Sequence, residues 1–473
     1  MDLYGQSIRG YFVPKEKGLH TQTAKNYLAG NIHDQLVQAY ESVREQTNRL
    51  YLCLEPEDCV VQTMQCVSPI KWHAAHTSWF FEQFLLLPYL KNYIAYNEQY
   101  LFLFNSYYNA IGPQHCQASR GYLSRPTVNE VTAYRGHVDN YIKKLIKTAS
   151  KNNIAEILSL LIVGINHEQQ HQELILTDIK HIFSSNPLLP AFPDIKGTDT
   201  KTLESQQDTQ WIRITDGVYK IGHSHPSALR QDAITKTSDQ TNKLNNQSIR
   251  AMLNRGFCFD NEKPRHKVYL HDASIASRLV TNGEYLAFVE ADGYENPEYW
   301  LSLGWQWVQA EKYEKPLYWF KENDRWYQYT LMGKRELDIN EPVCHVNYFE
   351  ADAFARWAGY RLPREEEWEL VCDNMPIEGN FLENRTYHPS KNMANHMYGN
   401  LWEWTSSPYA PYPGYQPADG ALGEYNGKFM CNQMVLRGGS CATPRDHIRK
   451  TYRNFWALET RWQFTGIRLA KDH

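Results

Sequence analysis

At 473 residues the chain is too long for one ordinary domain, and its 42% hydrophobic content is enough to build the two or three cores that such a length calls for. A net charge of −4 gives no electrostatic footprint for nucleic acid or for an anionic membrane surface. Nine cysteines, an odd number at irregular spacings with no C-x-x-C pair, point to reduced thiols in a cytoplasmic protein rather than to a disulfide framework.

The first residues, MDLYGQSIRGYFVPKEKG, lack the basic-then-apolar order of a secretory signal. Four segments then carry apolar residues at three- and four-residue intervals, the helical period: NIHDQLVQAYESVREQTNRLYLCL from Asn31, SPIKWHAAHTSWFFEQFLLLPYL from Ser68, VNEVTAYRGHVDNYIKKLIKTA from Val128 and IAEILSLLIVGINHEQQHQELILTDIKHIF from Ile154. Ser68-Pro69 supplies a cap and a first-turn residue for the second of them. Fully apolar runs such as Leu160–Val163 fall far short of the roughly 20 residues a membrane helix needs. The four segments predict an up-down helical bundle over residues 1–186.

Residues 187–210 are Pro-rich, then polar, and read as a linker. From Trp211 the texture changes to short elements, frequent glycines and aromatics without helical period. This predicts an irregular α+β domain over 211–473. Within it only EADAFARWAGY and the Glu/Trp run after RLPR read as helix, and the polar stretch 225–250 reads as a surface insertion. The 32 tyrosines and 14 tryptophans suit either a rigid cleft or aromatic core packing. Cys431 and Cys441, the one close pair late in the chain, are expected to be buried structural thiols.

The strongest chemical signal is His167-Glu-Gln-Gln-His171 in the fourth segment. Four residues apart on a helix, two side chains lie about 40° apart on one face and one turn along the axis, so both imidazoles can reach one ion. A third ligand must come from another helix. His73 and His76 are the candidates, and His76 is favoured because it shares a face with Trp72, Phe80 and Gln83. The same five residues match H-E-x-x-H, in which the glutamate activates a zinc-bound water in metallopeptidases. The downstream histidine that usually extends that motif is missing here.

Several blocks in order, among them SPIKWHAAHTSWFFE, NSYYNAIGPQ, GINHEQQHQELILTDIKH, FDNEKPRHKVYL, GNLWEWTSSPY and VLRGGSCATPRDHIRKTYRNFWALETRWQFTGIRLA, carry a resemblance over nearly the whole chain. The chain resembles the sulfoxide synthases of ergothioneine biosynthesis. That resemblance implies an α+β multidomain protein: an N-terminal DinB-like four-helix bundle, then a C-terminal domain of the C-type-lectin-like, formylglycine-generating-enzyme type that completes the active site. It implies a non-haem iron(II) enzyme using O2 to join the thiol of cysteine or γ-glutamylcysteine to imidazole C2 of hercynine, with His76, His167 and His171 as the iron ligands. By the same resemblance Gln170 and Asn454, with Phe455 and Trp456 beside them, hold hercynine. Arg120, Arg125 and Arg453, with Arg135 a further candidate, meet the carboxylates of the thiol. A tyrosine donates a proton: Tyr107 and Tyr108 are jointly favoured, with Tyr409, Tyr412 and Tyr415 as rivals. The segment HCQAS before Arg120, with Gln117 where many relatives carry arginine, favours free cysteine. Alternatives are an ovothiol-type relative acting on histidine, a selenium-transferring relative, the zinc peptidase, and a non-catalytic binding module.

Overall fold

The computed structural model describes residues 32–150, 152–196, 208–224, 256–391 and 396–473. The polar stretch 225–250 lies outside them. The described residues fall into two compact units, one drawn from Met1–Ile175, His225–Asp260 and Gln416–Lys428, the other from Leu176–Ser224, Asn261–Tyr415 and Phe429–His473. As expected, a helical N-terminal region precedes an α+β region.

The first unit is built on helices α1 (Ile32–Leu52), α2 (Ile70–Phe81), α3 (Val128–Thr148) and α4 (Ile154–Ser184), the last of which leaves this unit after Ile175. Asp34 in the first turn of α1 and Arg49 in its last complement the helix dipole. A capping box opens α3: Thr127 Oγ1 accepts from the Glu130 amide at 3.2 Å, and the Glu130 carboxylate accepts from the Thr127 amide at 2.6 Å. Every residue of α2 is buried, which places it at the centre of its unit.

Two expectations for this helix fail. Ser68 does not cap it; its hydroxyl instead accepts from Arg120 Nη1 at 2.9 Å. Nor does the helix run unbroken to Leu90. It widens into a π-turn over Glu82–Leu86 before a last α-turn at Leu87–Tyr89. The wide turn begins at Glu82, whose buried carboxylate accepts from the Tyr93 hydroxyl at 2.6 Å, the Tyr96 amide at 2.9 Å and the Tyr134 hydroxyl at 2.7 Å. Such turns recur where a local side-chain demand outweighs the regular ladder.

Where α2 and α4 meet, Gly164 leaves room for the Phe81 ring; a Cβ there would lie 2.4 Å from Phe81 Cε1. The polar centre of the unit is an ion network. Arg44 pairs with Asp139 at 2.7 Å and with Glu168 at 2.9 Å, and Arg135 pairs with Glu168 at 3.0 Å.

The second unit contains β1 (Trp211–Ile214), β2 (Gly217–Ile221), β3 (His266–Leu270), β4 (Ala273–Leu279), α5 (Asn282–Glu290), α6 (Ser302–Glu311), β5 (Trp319–Glu322), β6 (Arg325–Thr330), β7 (Gly333–Glu336), α7 (Tyr348–Trp357), α8 (Glu365–Val371), β8 (Trp402–Pro408), β9 (Gln433–Arg437), β10 (Asn454–Ala457), β11 (Thr465–Gly466) and β12 (Arg468–Asp472). These form sheets β1-β4-β12, β10-β9-β8-β11 and β5-β6-β7 and the pair β2-β3. All pairings are antiparallel except β11 with β8.

Helices α7 and α8 fall where the sequence placed them. Helices α5 and α6 were not expected. The capping box of Thr281 with Glu284, 2.8 Å from the Thr281 amide to the carboxylate, was the available signal for α5. Cys431 is exposed, correcting its expected burial, whereas Cys441 is buried; none of the nine cysteines is in a disulfide.

Several buried charge clusters organise this unit, among them two around Glu365 and Lys180. Glu365 receives Arg453 Nε and Nη2 at 2.9 Å each and Arg437 Nη2 at 2.7 Å. Burial pushes the Glu365 carboxyl up, but the two guanidiniums outweigh it and leave it below the usual range. Elsewhere Lys180 Nζ donates to His345 Nε2 at 2.7 Å and lies 5.1 and 5.0 Å from the ring centroids of Tyr318 and Phe464. Burial pulls this lysine down to about 8.

Candidate metal centre

On α4, His167 and His171 face inward one turn apart, and α2 presents His76 to them. One ligand atom from each lies within 4.8 Å of the others, and all three side chains are buried. Among the described residues this is the one such group of histidine, cysteine or carboxylate side chains. His76 Nε2 stands 3.1 Å from His167 Nε2. Two nitrogens at that separation share either a proton or a cation, and about 3 Å is the spacing of adjacent ligands each about 2.1 Å from one ion.

The imidazoles are held from behind. His76 Nδ1 donates to the Phe104 carbonyl at 2.6 Å, which leaves its Nε2 as the lone-pair atom. His73, the rejected candidate, is not in the group; its Nδ1 lies 2.9 Å from His171 Nδ1 and fixes that ring instead. Trp72 stacks on His76 with centroids 4.7 Å apart and planes at 11°, and Phe80 stacks on His167 at 4.5 Å and 28°. His167 Nδ1 is buried with no hydrogen-bond partner among the described residues. Burial first, and the neighbouring charges second, hold the pKa of all three histidines well below the ordinary value. Each is therefore a neutral, electron-donating ligand. The residues present fit a metal ion.

Glu168, between the two α4 histidines in sequence, cannot serve as the peptidase base. Both carboxylate oxygens are taken by Arg44 and Arg135, and these offset its burial enough to lower its pKa. This pairing also removes Arg135 as a substrate ligand. Arg453 is likewise spent: its guanidinium bonds Glu365, the Asn261 carbonyl and the Ala410 carbonyl. Arg125 is exposed and bonds the Ser124 carbonyl at 3.0 Å. Arg120 alone of the four lies behind the triad, its guanidinium 3.4 Å from the centroid of the Trp72 ring that stacks on His76.

Asn105 shapes the tyrosine loop. Its side chain accepts from the Tyr108 amide at 3.0 Å and donates to the carbonyls of Tyr108 and Gly112 at 3.0 and 3.1 Å. Tyr107 and Tyr108 stack at 4.7 Å, and Tyr108 packs on Trp79 and Phe84. Burial raises both phenol pKa values, so both rings are protonated donors at neutral pH.

Two of the rivals have partners within the second unit. Tyr409 stacks on Phe455 at 4.0 Å and receives Asn261 Nδ2 at 2.9 Å, and Tyr412 bonds the Glu365–Arg437 cluster. On β10, strand alternation puts Asn454 and Trp456 on one face and Phe455 on the other; Trp456 packs on Trp462 at 5.7 Å.

Sequence reasoning missed Tyr425. Its hydroxyl donates to Gln170 Oε1, and its ring lies 5.9 Å from that of His167 and stacks on Phe259 at 5.4 Å.

The helical unit holds a buried three-histidine group able to take a metal ion, and the other unit is an α+β domain. The α+β region matches the sulfatase-modifying factor enzyme 1-like domain over residues 199–395 and 384–473, and the chain belongs to that family. It is also a homologue of hercynine oxygenases. It is 36% identical to the hercynine oxygenase of Mycobacterium tuberculosis over 45% of this chain and 56% of that protein. The match therefore spans about half the length of that relative. With the hercynine oxygenase of Mycolicibacterium smegmatis the identity is 28% over 76% of this chain and 82% of the relative. Ergothioneine biosynthesis protein 1 of Schizosaccharomyces pombe is 28% identical over 46% of this chain and 28% of its own length.

Proposed function

We propose that this chain is an iron(II)-dependent hercynine oxygenase that couples the thiol of cysteine or γ-glutamylcysteine to imidazole C2 of hercynine. The observation that carries this reading is the convergence of three buried, neutral imidazoles with no carboxylate in the group, in a homologue of hercynine oxygenases. The reaction balances as thiol plus imidazole C–H plus O2 giving the sulfoxide and water: the C–S bond and the S–O bond each remove two electrons, and O2 takes all four. Iron(II), held by His76, His167 and His171, supplies the redox chemistry and the Lewis acidity that favours a thiolate.

The chain's own residues do the rest. His73 and the Phe104 carbonyl orient two of the imidazoles. Gln170, one residue before His171, is assigned to hercynine. Tyr107 and Tyr108 keep a phenolic proton in a dry setting until oxygen reduction calls for it. Arg135 and Arg453 are paired internally, Arg125 lies at the surface and Arg120 bonds Ser68 and stacks on Trp72, so the preference for free cysteine rests on the segment before Arg120, with Gln117 in it.

The test is metal analysis of anaerobically purified protein, followed by oxygen uptake with hercynine and, separately, cysteine, γ-glutamylcysteine and histidine. Iron near one equivalent and oxygen consumption that requires hercynine are expected. Protein that carries zinc and consumes no oxygen sinks the reading. Uptake with histidine in place of hercynine moves it to the ovothiol type.

A further inference from the structure

Helix α2 presents three ring donors along one stripe, at positions i, i+4 and i+7. Trp72 Nε1 donates to the Leu103 carbonyl at 3.1 Å, His76 Nδ1 to the Phe104 carbonyl at 2.6 Å and Trp79 Nε1 to the Leu101 carbonyl at 3.2 Å. These carbonyls lie at the end of the short helix Gln99–Leu103, where a helix has no internal donors left for them. The place of the Phe104 carbonyl therefore sets which nitrogen of His76 carries the proton and where its Nε2 lone pair points.

A tyrosine cluster holds Phe104 in turn. The Phe104 ring packs on Tyr134, with centroids 6.4 Å apart and planes at 19°, and on Tyr100 at 5.0 Å. Tyr134 and Tyr100 pack on each other at 5.1 Å, and Tyr96 packs on both, at 5.2 and 6.0 Å. The buried Glu82 carboxylate ties this cluster to the end of α2. One oxygen takes the Tyr134 hydroxyl, and the other takes the Tyr93 hydroxyl and the Tyr96 amide. Burying a carboxylate is costly, and an apolar side chain would fill the same turn without that cost. What the carboxylate adds is direction, because its donors come from two separate segments and meet on one group. We propose that Glu82 is a positioning residue for the metal ligand His76, acting through Tyr134 and the Phe104 carbonyl. The carboxylate fixes the phenol, the phenol ring fixes the Phe104 ring, and the carbonyl fixes the imidazole. The inference rests on the metal centre of the proposed function and not on the substrates assigned to it.

The probe is cobalt(II), titrated into metal-free protein against a chromophoric chelator at a temperature where each variant is fully folded. Glu82→Gln should weaken cobalt binding about ten- to a hundredfold, the usual cost of disturbing the groups behind a metal ligand. Tyr134→Phe keeps the ring on Phe104 and loses only the bond to Glu82; it should weaken binding about three- to tenfold, the scale of one hydrogen bond. Nitrogen NMR of the metal-free proteins should find His76 protonated at Nδ1 in wild type and divided between its two tautomers in Glu82→Gln. A group that only stabilised the fold would lower the melting temperature and leave affinity and tautomer unchanged. Wild-type cobalt affinity in Glu82→Gln, or a His76 still protonated at Nδ1 alone, overturns the proposal while the metal centre stands. If Glu82→Gln does not fold, Tyr134→Phe decides, and wild-type affinity there overturns the proposal. Wild-type protein that takes up neither cobalt nor iron overturns both.

Discussion

Two buried polar clusters, one in each unit, are built in opposite ways. In the α+β unit, Glu365, Arg437 and Arg453 form a cluster in which opposite charges meet at 2.7–2.9 Å, and the arginines' further bonds go to backbone carbonyls, the Glu369 carboxylate and the Tyr412 hydroxyl. In the helical unit, three imidazoles approach one another with no counter-charge in the group, and His167 Nδ1 has no partner among the described residues. Buried charges that are paired and fully bonded make a scaffold. Buried neutral groups that converge without satisfying one another are costly unless something else binds them. The helical unit contains both kinds side by side: the Arg44–Glu168–Arg135 network uses the residue next to His167 and leaves the histidines to their own face. The difference separates function from support more clearly than residue type does, since arginines and glutamate near the site turn out to be structural.

The contrast can be broken most sharply at the triad. Alanine at His76, His167 or His171 should abolish metal retention and lower coupling activity by at least about a thousandfold. The melting temperature of the metal-free protein should fall modestly, most for His76→Ala, which vacates a packed position and strands the Phe104 carbonyl, and least for His167→Ala, whose Nδ1 has no partner among the described residues. Metal analysis with calorimetric melting checks both halves, and a variant that keeps its metal removes that histidine from the set.

Next in size, Glu168→Gln and Glu365→Gln should each destabilise by about 3–5 kcal/mol, since each leaves a buried guanidinium short of its counter-charge. Denaturant titration reads this. If either is neutral, the scaffold reading of that cluster fails.

Smaller is the effect of removing the proton donor. Tyr107→Phe or Tyr108→Phe should keep metal and substrate binding but cut coupling about a hundredfold. Turnover should be diverted to the sulfinic acid of the thiol, a partition visible by chromatography of the products. If Tyr412→Phe alone shifts that partition, the donor is misassigned.

The smallest expected effect sits at Lys180, where a charge is buried against a neutral histidine. Its pKa of about 8 lies below the ordinary lysine value of about 10.4, so between those limits the unfolded chain binds more protons than the folded one. The contribution of Lys180 to stability should therefore rise as pH increases from 8 toward 10. The stability difference between wild type and Lys180→Met, measured at pH 7, 8, 9 and 10, should move in favour of wild type across that window; a flat difference refutes the shift.

The grouping of the three histidines was legible in the sequence because local geometry dictates much of it. Four-residue spacing places His167 beside His171 on any helix, and the shared face with Trp72 and Phe80 singled out His76 over His73. What periodicity cannot carry is the partner on another element. Arg135 and Arg453 looked free to bind substrate until Glu168 and Glu365 were seen to occupy them. Tyr425 lies 255 residues from Gln170, and no local pattern announces such a contact. The π-turn at Glu82 was invisible for a related reason, since the apolar pattern runs straight through it while the three donors that hold Glu82 lie outside its helix.

Gly164 has a consequence that reaches past packing. The distance between the helix carrying His76 and the helix carrying His167 and His171 is set where the Phe81 ring rests on bare backbone, with 2.4 Å to the position a methyl would take. An ordinary carbon contact needs about 3.5–4 Å, so any side chain there would force the helices apart by about 1 Å. Metal–ligand bonds tolerate errors of only about 0.2 Å. The position therefore works as a mechanical stop that gauges the gap between the two histidine-bearing helices.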